Sequence, residues 1–342
     1  MLVLKMPTLE DVARRAGVST ATVSKVLSNT PYFTEATRNK VLLAVKEIGY
    51  VPNLAARALS SGKTQIIAVV FPYVYDAIFA DPRILCVLEG IDAECNLRGY
   101  NLLISTPRLI EGSVDENYLQ LIQSGYLDGV IALNHVPFAS VLDPVIKKGL
   151  PAVSIGGPPS AYSVSSDHHA GGVLIMEHLL ELGHRRIGII TVPDSINTGT
   201  EQLLQGIQDA AQAGGLDFNS LPKAVGDYST ASGTDCAAQL LRQHPDLTAL
   251  LCLNDRMAMG ALQEAHRLGL RVPEQLTITG YDDIPAAATT VPPLTTINQR
   301  SLTTGYEASR MLFELLNGQK PESKIIPVEL VVRGSSAPPA RR

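Results

Sequence analysis

Residues 8–27 read TLEDVARRAGVSTATVSKVL, and this stretch decides the N-terminal fold. Behind Thr8, the apolar Leu9, Val12, Ala13 and Ala16 recur at helical spacing, with Asp11 three residues after the threonine as in a capping box. A first helix is expected over about 8–16. Gly17 and Val18 make a tight turn and Ser19 can cap the next segment, in which Val23, Val26 and Leu27 point inward and Ala21 or Thr22 outward. Two short helices around so tight a turn have helix-turn-helix spacing.

Asn29, Thr30 and Pro31 then break the chain, and Thr34 restarts it. EATRNKVLLAVKEIG carries Val41, Leu42, Val45 and Ile48 as an apolar stripe until Gly49. The core expected for this head is Val12, Val23, Val26, Leu42 and Val45. The second helix of such a unit enters the major groove by its N-terminal end, which holds Thr20, Ala21 and Lys25. Threonine can serve several bases, alanine offers a methyl to thymine, and lysine donates to guanine. Ser19, Ser24, Thr8 and Thr34 suit phosphate oxygens. After Pro52, Asn53 can cap a segment from Leu54 to Ser60, too short to be stable alone. Leu59 on it is suited to wedging between base steps; the plainer alternative is a linker.

Charge follows the same division. The 342 residues carry a net charge of −5, which alone argues against a nucleic-acid partner. Residues 1–63, however, hold nine basic and four acidic side chains, or +5, so the remaining 279 carry −10. A basic head on an acidic body is expected when only the head approaches phosphates. A helical hairpin for protein contacts is the alternative that this excess disfavours. Hydrophobic residues at 45% against 18% charged place the chain among folded proteins. No window approaches the run of about 18 apolar residues that a membrane span needs, and the first residues do not read as a signal peptide. A cytoplasmic protein without membrane attachment is expected. Cys86, Cys95, Cys236 and Cys252 form no CxxC pair, which suits reduced, mostly buried thiols.

From Gln65 the pattern changes. IIAVVFPYV reads as a strand buried on both faces, and helix-like and strand-like stretches then alternate through PAVSIGG, ending at 157. A second set follows Asp167 and runs to LTITGYDD. The alternation predicts two α/β lobes with parallel sheets, whose strands aim their C-terminal ends at a shared cleft. Cleft candidates are the residues just after strands: Tyr73, Tyr75, Asp76 and Phe79, then Asn134, then Tyr228, Asn254 and Asp255, then Tyr281, Asp282 and Asp283. Rings beside carboxylates and amides suit a polyhydroxylated or heterocyclic ligand.

The stretch from Thr8 to Leu59 resembles the DNA-binding head and hinge of the lactose-repressor (LacI/GalR) family at nearly every position. About residues 64–336 resemble its periplasmic-binding-protein-like core, through GHRRIGII, LNDRMAMGAL, ITGYDDI, PPLTTINQ and LVVRGSSAPP. The resemblance implies base reading by Thr20 and Ala21, and Leu59 inserted at the operator centre. Lys25 stands where the family usually has Arg. The positions expected to face DNA are Thr8, Ser19, Thr20, Ala21, Ser24, Lys25, Asn29, Thr34, Asn53, Ala56 and Leu59. In the cleft, Tyr228 falls at an aromatic stacking position, Asn254 and Asp282 at polar positions, and Gln299 near a lobe crossover. The expected effector set is Tyr73, Tyr75, Asp76, Phe79, Asn134, Leu203, Tyr228, Asn254, Asp282 and Gln299. Leu203 replaces a frequent Arg and Gly156 a frequent Asp, leaving open a ligand larger or less polar than a hexose, or none.

Enzyme signatures are missing from the sequence: it has no GxGxxG, GxxxxGK[ST] or GxSxG motif. The adjacent His168 and His169 suit a helix start better than a metal site, and no cofactor is expected. The organisation expected is a head over 1–52, a hinge helix and linker over 53–63, a two-lobed effector-binding and dimerisation domain over 64–336, and a tail over 337–342. Lobe one takes about 64–165 plus 300–326, and lobe two about 166–298 plus 327–336. The function expected is a transcription regulator, most simply a repressor. It acts as a homodimer on pseudo-palindromic operator DNA, tuned by a sugar, nucleoside or related metabolite. The alternatives are the same regulator with a vestigial cleft governed by a protein partner, or a cytosolic small-molecule-binding module without DNA function.

Overall fold

The structure, a computed structural model, describes residues 7–27, 33–51, 62–71, 79, 81–110, 113–133, 141–156, 162–193 and 198–340. Outside them lie Asn29, the expected hinge helix with Asn53, Ala56 and Leu59, and the cleft candidates Tyr73, Tyr75, Asp76 and Asn134. The chain divides into two compact units, Met1–Thr64 and Gln65–Arg342.

The first unit holds helices α1 (Leu9–Ala16), α2 (Thr20–Leu27) and α3 (Glu35–Ile48). Each begins at a hydroxyl cap. Thr8 and Asp11 close a capping box, in which Thr8 N donates to Asp11 Oδ2 at 2.9 Å. Ser19 Oγ accepts from Thr22 N at 3.1 Å, and Thr34 Oγ1 from Thr37 N at 3.3 Å. Val12, Ala13, Val23, Val26, Val41 and Ala44 are the buried core. Leu42, expected in that core, is instead 47% exposed. The inward stripe of α3 is Val41, Ala44, Val45 and Ile48, an i, i+3, i+4, i+7 set that leaves Leu42 rotated outward. Arg15 ties α1 to α3 by donating from Nε to Glu47 Oε2 at 2.6 Å.

The second unit runs β1 (Ile66–Val70), α4 (Pro82–Leu97), β2 (Asn101–Ser105), the short hairpin β3 (Leu109–Ile110) and β4 (Ser113–Val114), α5 (Glu116–Gln123), β5 (Gly129–Leu133), α6 (Asp143–Lys148), β6 (Ala152–Ile155) and β7 (Ser163–Ser166). It continues with α7 (His168–Glu181), β8 (Ile187–Thr191), α8 (Thr198–Ala213), β9 (Lys223–Val225), α9 (Thr230–Gln243), β10 (Ala249–Cys252), α10 (Asp255–Arg267) and β11 (Thr277–Thr279). Last come β12 (Thr296–Asn298), α11 (Ser301–Leu316), β13 (Lys324–Ile326) and β14 (Glu329–Val331).

One lobe carries a parallel sheet in the order β13-β7-β6-β5-β1-β2, the other a parallel sheet in the order β11-β10-β8-β9. Strand β1 explains its unbroken apolar run. Ile67, Val69 and Phe71 pack on one side with Ile84, Val87, Met311 and Leu312, and Ala68 and Val70 on the other with Tyr118, Ile122 and Val145. A strand covered on both faces has no side left to be polar. The other lobe has one large core including Ile187, Ile189, Leu250, Ile278 and Tyr281.

Strand β7 was not foreseen, because its residues are Ser163, Val164, Ser165 and Ser166. It is nonetheless largely buried: Ser166 Oγ donates to the Gln299 carbonyl at 2.8 Å and Ser163 N to Ser323 Oγ at 3.0 Å. Hydroxyls satisfied within the protein let a polar strand occupy the interior.

The chain passes between the lobes three times: from β7 to α7, from β12 to α11, and from β13 to β14, where β14 pairs antiparallel with β12. Helices pack closest where glycines meet. A Cβ on Gly305 of α11 would lie 2.1 Å from the Val87 carbonyl oxygen of α4, and one on Gly206 of α8 would lie 2.0 Å from that of His169 in α7. Ala337 is fastened to the second lobe, with Thr277 Oγ1 donating to its carbonyl at 3.0 Å.

Candidate ligand cleft and DNA-reading surface

Strand ends and helix starts converge between the lobes on a cleft of about 90 Å³. Small-molecule sites are usually several hundred Å³, so the enclosed part of the cleft is small. One lobe contributes Asp81, Arg83, Ile155 and Gly156, and the crossover segments contribute Ser166, Gln299 and Ser301. The other lobe contributes His168, Thr200, Leu203, Tyr228, Asn254, Tyr281 and Asp282.

Of the residues expected from sequence, Leu203, Tyr228, Asn254, Tyr281, Asp282 and Gln299 meet in this cleft. Leu203 is a wall shared with the core of its lobe. Tyr228 has φ 68°, and its hydroxyl lies 3.0 Å from Thr200 Oγ1. Asn254 caps α10, accepting from Met257 N at 2.9 Å and donating to the Tyr228 carbonyl at 3.1 Å. It therefore fixes Tyr228 while bordering the cleft. Phe79 is 65% exposed and is not among the lining residues.

Two further candidates turn away from the cleft. Asp255 is fully buried and accepts from Thr296 Oγ1 at 2.5 Å and from Ile284 N at 2.9 Å, while Asp283 pairs with Arg333 Nη2 at 2.6 Å. Position after a strand says where a residue is, not which way it points. These two carboxylates hold the loop that presents their neighbour Asp282.

Burial pushes Asp282 well above the usual carboxylate range, with the Asp255 charge adding to the effect. Burial also raises Asp255. Burial drives His168 down to about 4, with Arg83 adding to the effect, so its imidazole is neutral near pH 7. Its Nδ1 lies 3.0 Å from the Tyr281 hydroxyl. Gly171, one turn on, leaves room for that ring: a Cβ there would lie 2.8 Å from Tyr281 Cε2.

Asp81, Arg83 and His168 were not foreseen as cleft residues. Arg83 offered a signal in the sequence, since a cation in the first turn of a helix opposes the macrodipole and asks for another reason to be there. His168 is the first residue of α7, whereas its neighbour His169 faces outward, with Nε2 2.8 Å from Asp209 Oδ2.

In the head, Thr20, Ala21, Ser24 and Lys25 are exposed along one side of α2, opposite the buried Val23 and Val26. The hydroxyls of Thr8, Ser19 and Thr34 sit at helix N-termini as caps, where backbone N–H groups suit phosphate.

A helix-turn-helix head followed by a two-lobed α/β body defines a DNA-binding transcription regulator. The family described as bacterial regulatory proteins, lacI family, matches residues 8–53, and a periplasmic binding protein-like domain matches residues 176–336. The HTH-type transcriptional regulator CelR of Thermobifida fusca is 33% identical over 341 residues, covering 97% of this chain and 98% of that protein. The HTH-type transcriptional repressor PurR of Haemophilus influenzae is 34% identical over 339 residues, covering 96% and 98%. Among solved structures, the lac repressor dimer bound to operator and the anti-inducer ONPF aligns with TM-score 0.84 at 27% identity over 97% of this chain and 100% of that one. A CelR–cellobiose complex aligns with TM-score 0.71 at 30% identity over 96% and 99%. The chain belongs to the LacI family of bacterial transcription regulators. No helix among the described residues is long and apolar enough to cross a membrane.

Proposed function

We propose that the chain is a cytoplasmic homodimeric repressor, whose two heads grip a pseudo-palindromic operator and whose interlobe cleft binds a small-molecule effector. The cleft's role in this reading is binding without turnover. The observation that carries it is the meeting of Asp282, Tyr228, Asn254 and Leu203 from one lobe with Arg83 from the other, beside Gln299 on a crossover segment. A ligand seated there touches both lobes and the strands that join them, so its affinity differs between open and closed placements. That difference is all an effector can use to shift DNA affinity. The CelR–cellobiose complex and the lac repressor dimer on its operator support both halves of the proposal by similarity.

In the head we assign base reading to Thr20, Ala21 and Lys25, and phosphate contacts to Thr8, Ser19, Ser24 and Thr34. We extend the DNA-facing set to Asn29, Asn53, Ala56 and Leu59 with the support of the resemblance, and the effector set to Tyr73, Tyr75, Asp76 and Asn134 from their place just after strands. The division into lobes follows the crossings, with 64–165 plus 300–326 as one and 166–298 plus 327–336 as the other. Operator selection from random DNA, followed by titration of the selected site with and without candidate effectors, tests the proposal. A saturable change in operator affinity supports it, and an unchanged affinity with every compound that binds the chain contradicts it.

A further inference from the structure

Among the described residues His168 enters no cap and no ion pair, yet it lines the cleft. Its Nδ1 is taken by the Tyr281 hydroxyl at 3.0 Å. A phenol is a stronger acid than an imidazole N–H, and a bare imidazole nitrogen accepts better than a phenol oxygen, so the hydroxyl donates to Nδ1 and the ring proton sits on Nε2. No bond of Nε2 is seen among the described residues, and His168 lines the cleft. The result is an oriented N–H donor whose far side is locked by a ring that itself fits only because residue 171 is glycine.

The charges around the donor limit what it can meet. The N-termini of α4 and α7 reach the cleft with their own carboxylates already in place. Asp81 Oδ1 accepts from Arg83 N, and Asp167 Oδ1 from Ala170 N, both at 2.9 Å. Asp282 adds a further carboxyl. Among the described residues, Arg83 is the single Lys or Arg that lines the cleft. A phosphate dianion would meet several acids and one guanidinium, whereas a neutral polyol would meet donors and acceptors.

We propose that His168 is a ligand-contacting specificity residue, whose Nε2–H donates to an oxygen of a neutral, unphosphorylated polyhydroxylated effector. The inference rests on the reading of the cleft as the effector site and adds the chemical class of ligand and the residue that reads it.

The test uses the full-length chain and matched probes in calorimetric titration: glucose and glucose 6-phosphate, cellobiose and cellobiose 6-phosphate, ribose and ribose 5-phosphate, adenosine and AMP. At least one neutral member binds, and its phosphorylated counterpart binds at least tenfold more weakly. His168→Phe, which keeps a ring but loses the donor, weakens the neutral ligand at least tenfold, and His168→Gln, which restores an N–H, recovers most of that loss. In nitrogen-15 spectra of the wild-type imidazole, the proton sits on Nε2 and that signal moves when the neutral ligand binds, a readout that survives even if His168→Phe does not fold. Binding by none of the neutral probes, preference for a phosphorylated one, or an Nε2 signal that ignores a bound ligand overturns the proposal. Failure of the broader reading looks different: a neutral ligand moves the Nε2 signal but leaves operator affinity unchanged.

Discussion

Gln299 Nε2 donates to Asp282 Oδ1 at 2.5 Å, joining a residue between β12 and α11 to the loop after β11. Asp282 N in turn donates to the Ile297 carbonyl at 2.9 Å, and the residue itself sits at φ 129°, where a non-glycine side chain is strained. The loop is thus fastened at both backbone and side chain to a segment the chain uses to cross between lobes. A ligand that takes over the Asp282 carboxyl must compete with Gln299.

Asp282→Ala is expected to abolish the effector response while operator binding persists. Asp282→Asn, which mimics the protonated acid, is expected to keep the fold. Because the folded-state pKa of Asp282 lies above its ordinary value, the stability it contributes is fully present below pH 3.8 and is lost as pH rises toward the folded value. Asp282→Asn therefore gains on wild type in urea unfolding as the pH rises above 3.8. A difference that stays constant with pH argues against a raised Asp282 pKa.

His168 has the opposite sign. Its pKa falls from 6.5 to about 4, so the unfolded chain takes up a proton first and wild type loses stability as pH drops from 6.5 toward 4, by at most about 3 kcal/mol. His178 and His184 are also held below their ordinary value by burial and add to the slope. His168→Phe should flatten the slope in part. An unchanged pH profile in that variant places His168 in a wetter site than described.

Thr8 serves α1 as a cap and is assigned a phosphate contact, and one substitution separates the two. Thr8→Asp keeps an N-cap acceptor but brings a negative charge toward the backbone of DNA. Head stability should fall by about 1 kcal/mol, because the new carboxylate meets Asp11 Oδ2, to which the Thr8 hydroxyl donates at 2.7 Å, while operator affinity falls at least tenfold in a mobility-shift titration. Equal affinity removes Thr8 from the interface.

The misplaced leucine gives a clean contrast on α3. Val41→Ala opens the head core and should cost roughly 1–3 kcal/mol, whereas Leu42→Lys on the exposed face should stay within about 0.5 kcal/mol. Thermal melts of the two variants decide between the stripe through Val41 and the stripe through Leu42.

At the crossing of α4 and α11, Gly305→Ala forces a methyl against the Val87 carbonyl. A cost of about 3 kcal/mol is expected, visible as an earlier far-UV transition in urea. A wild-type transition would mean that the helices can part there at little cost.

What the sequence made legible depended on repetition. The caps Thr8, Ser19 and Thr34 and the buried runs of β1 and β8 each announce themselves within a few residues, so the head and the alternating lobes could be read directly. Leu42 was misplaced because Val41 and Leu42 are adjacent and both apolar, and which of them faces inward depends on how α3 is rotated against α1 and α2. Strand β7 was hidden because its serines are buried through bonds to residues more than 130 positions away. Within the cleft, Tyr228, Asn254 and Asp282 follow from their place after strands and from family likeness, but the same rule also proposed Asp255 and Asp283, which point elsewhere. His168 and Arg83 open helices, and their roles come from what crosses the cleft opposite them.

An effector can act on transcription only through coupling between cleft and operator. The most direct measurement is the operator dissociation constant of the full-length chain, at fixed salt, with and without a saturating effector found by thermal-shift screening, for wild type and Asp282→Ala. A change of at least fivefold in wild type that vanishes in Asp282→Ala is predicted. The same operator affinity with and without bound effector would contradict it.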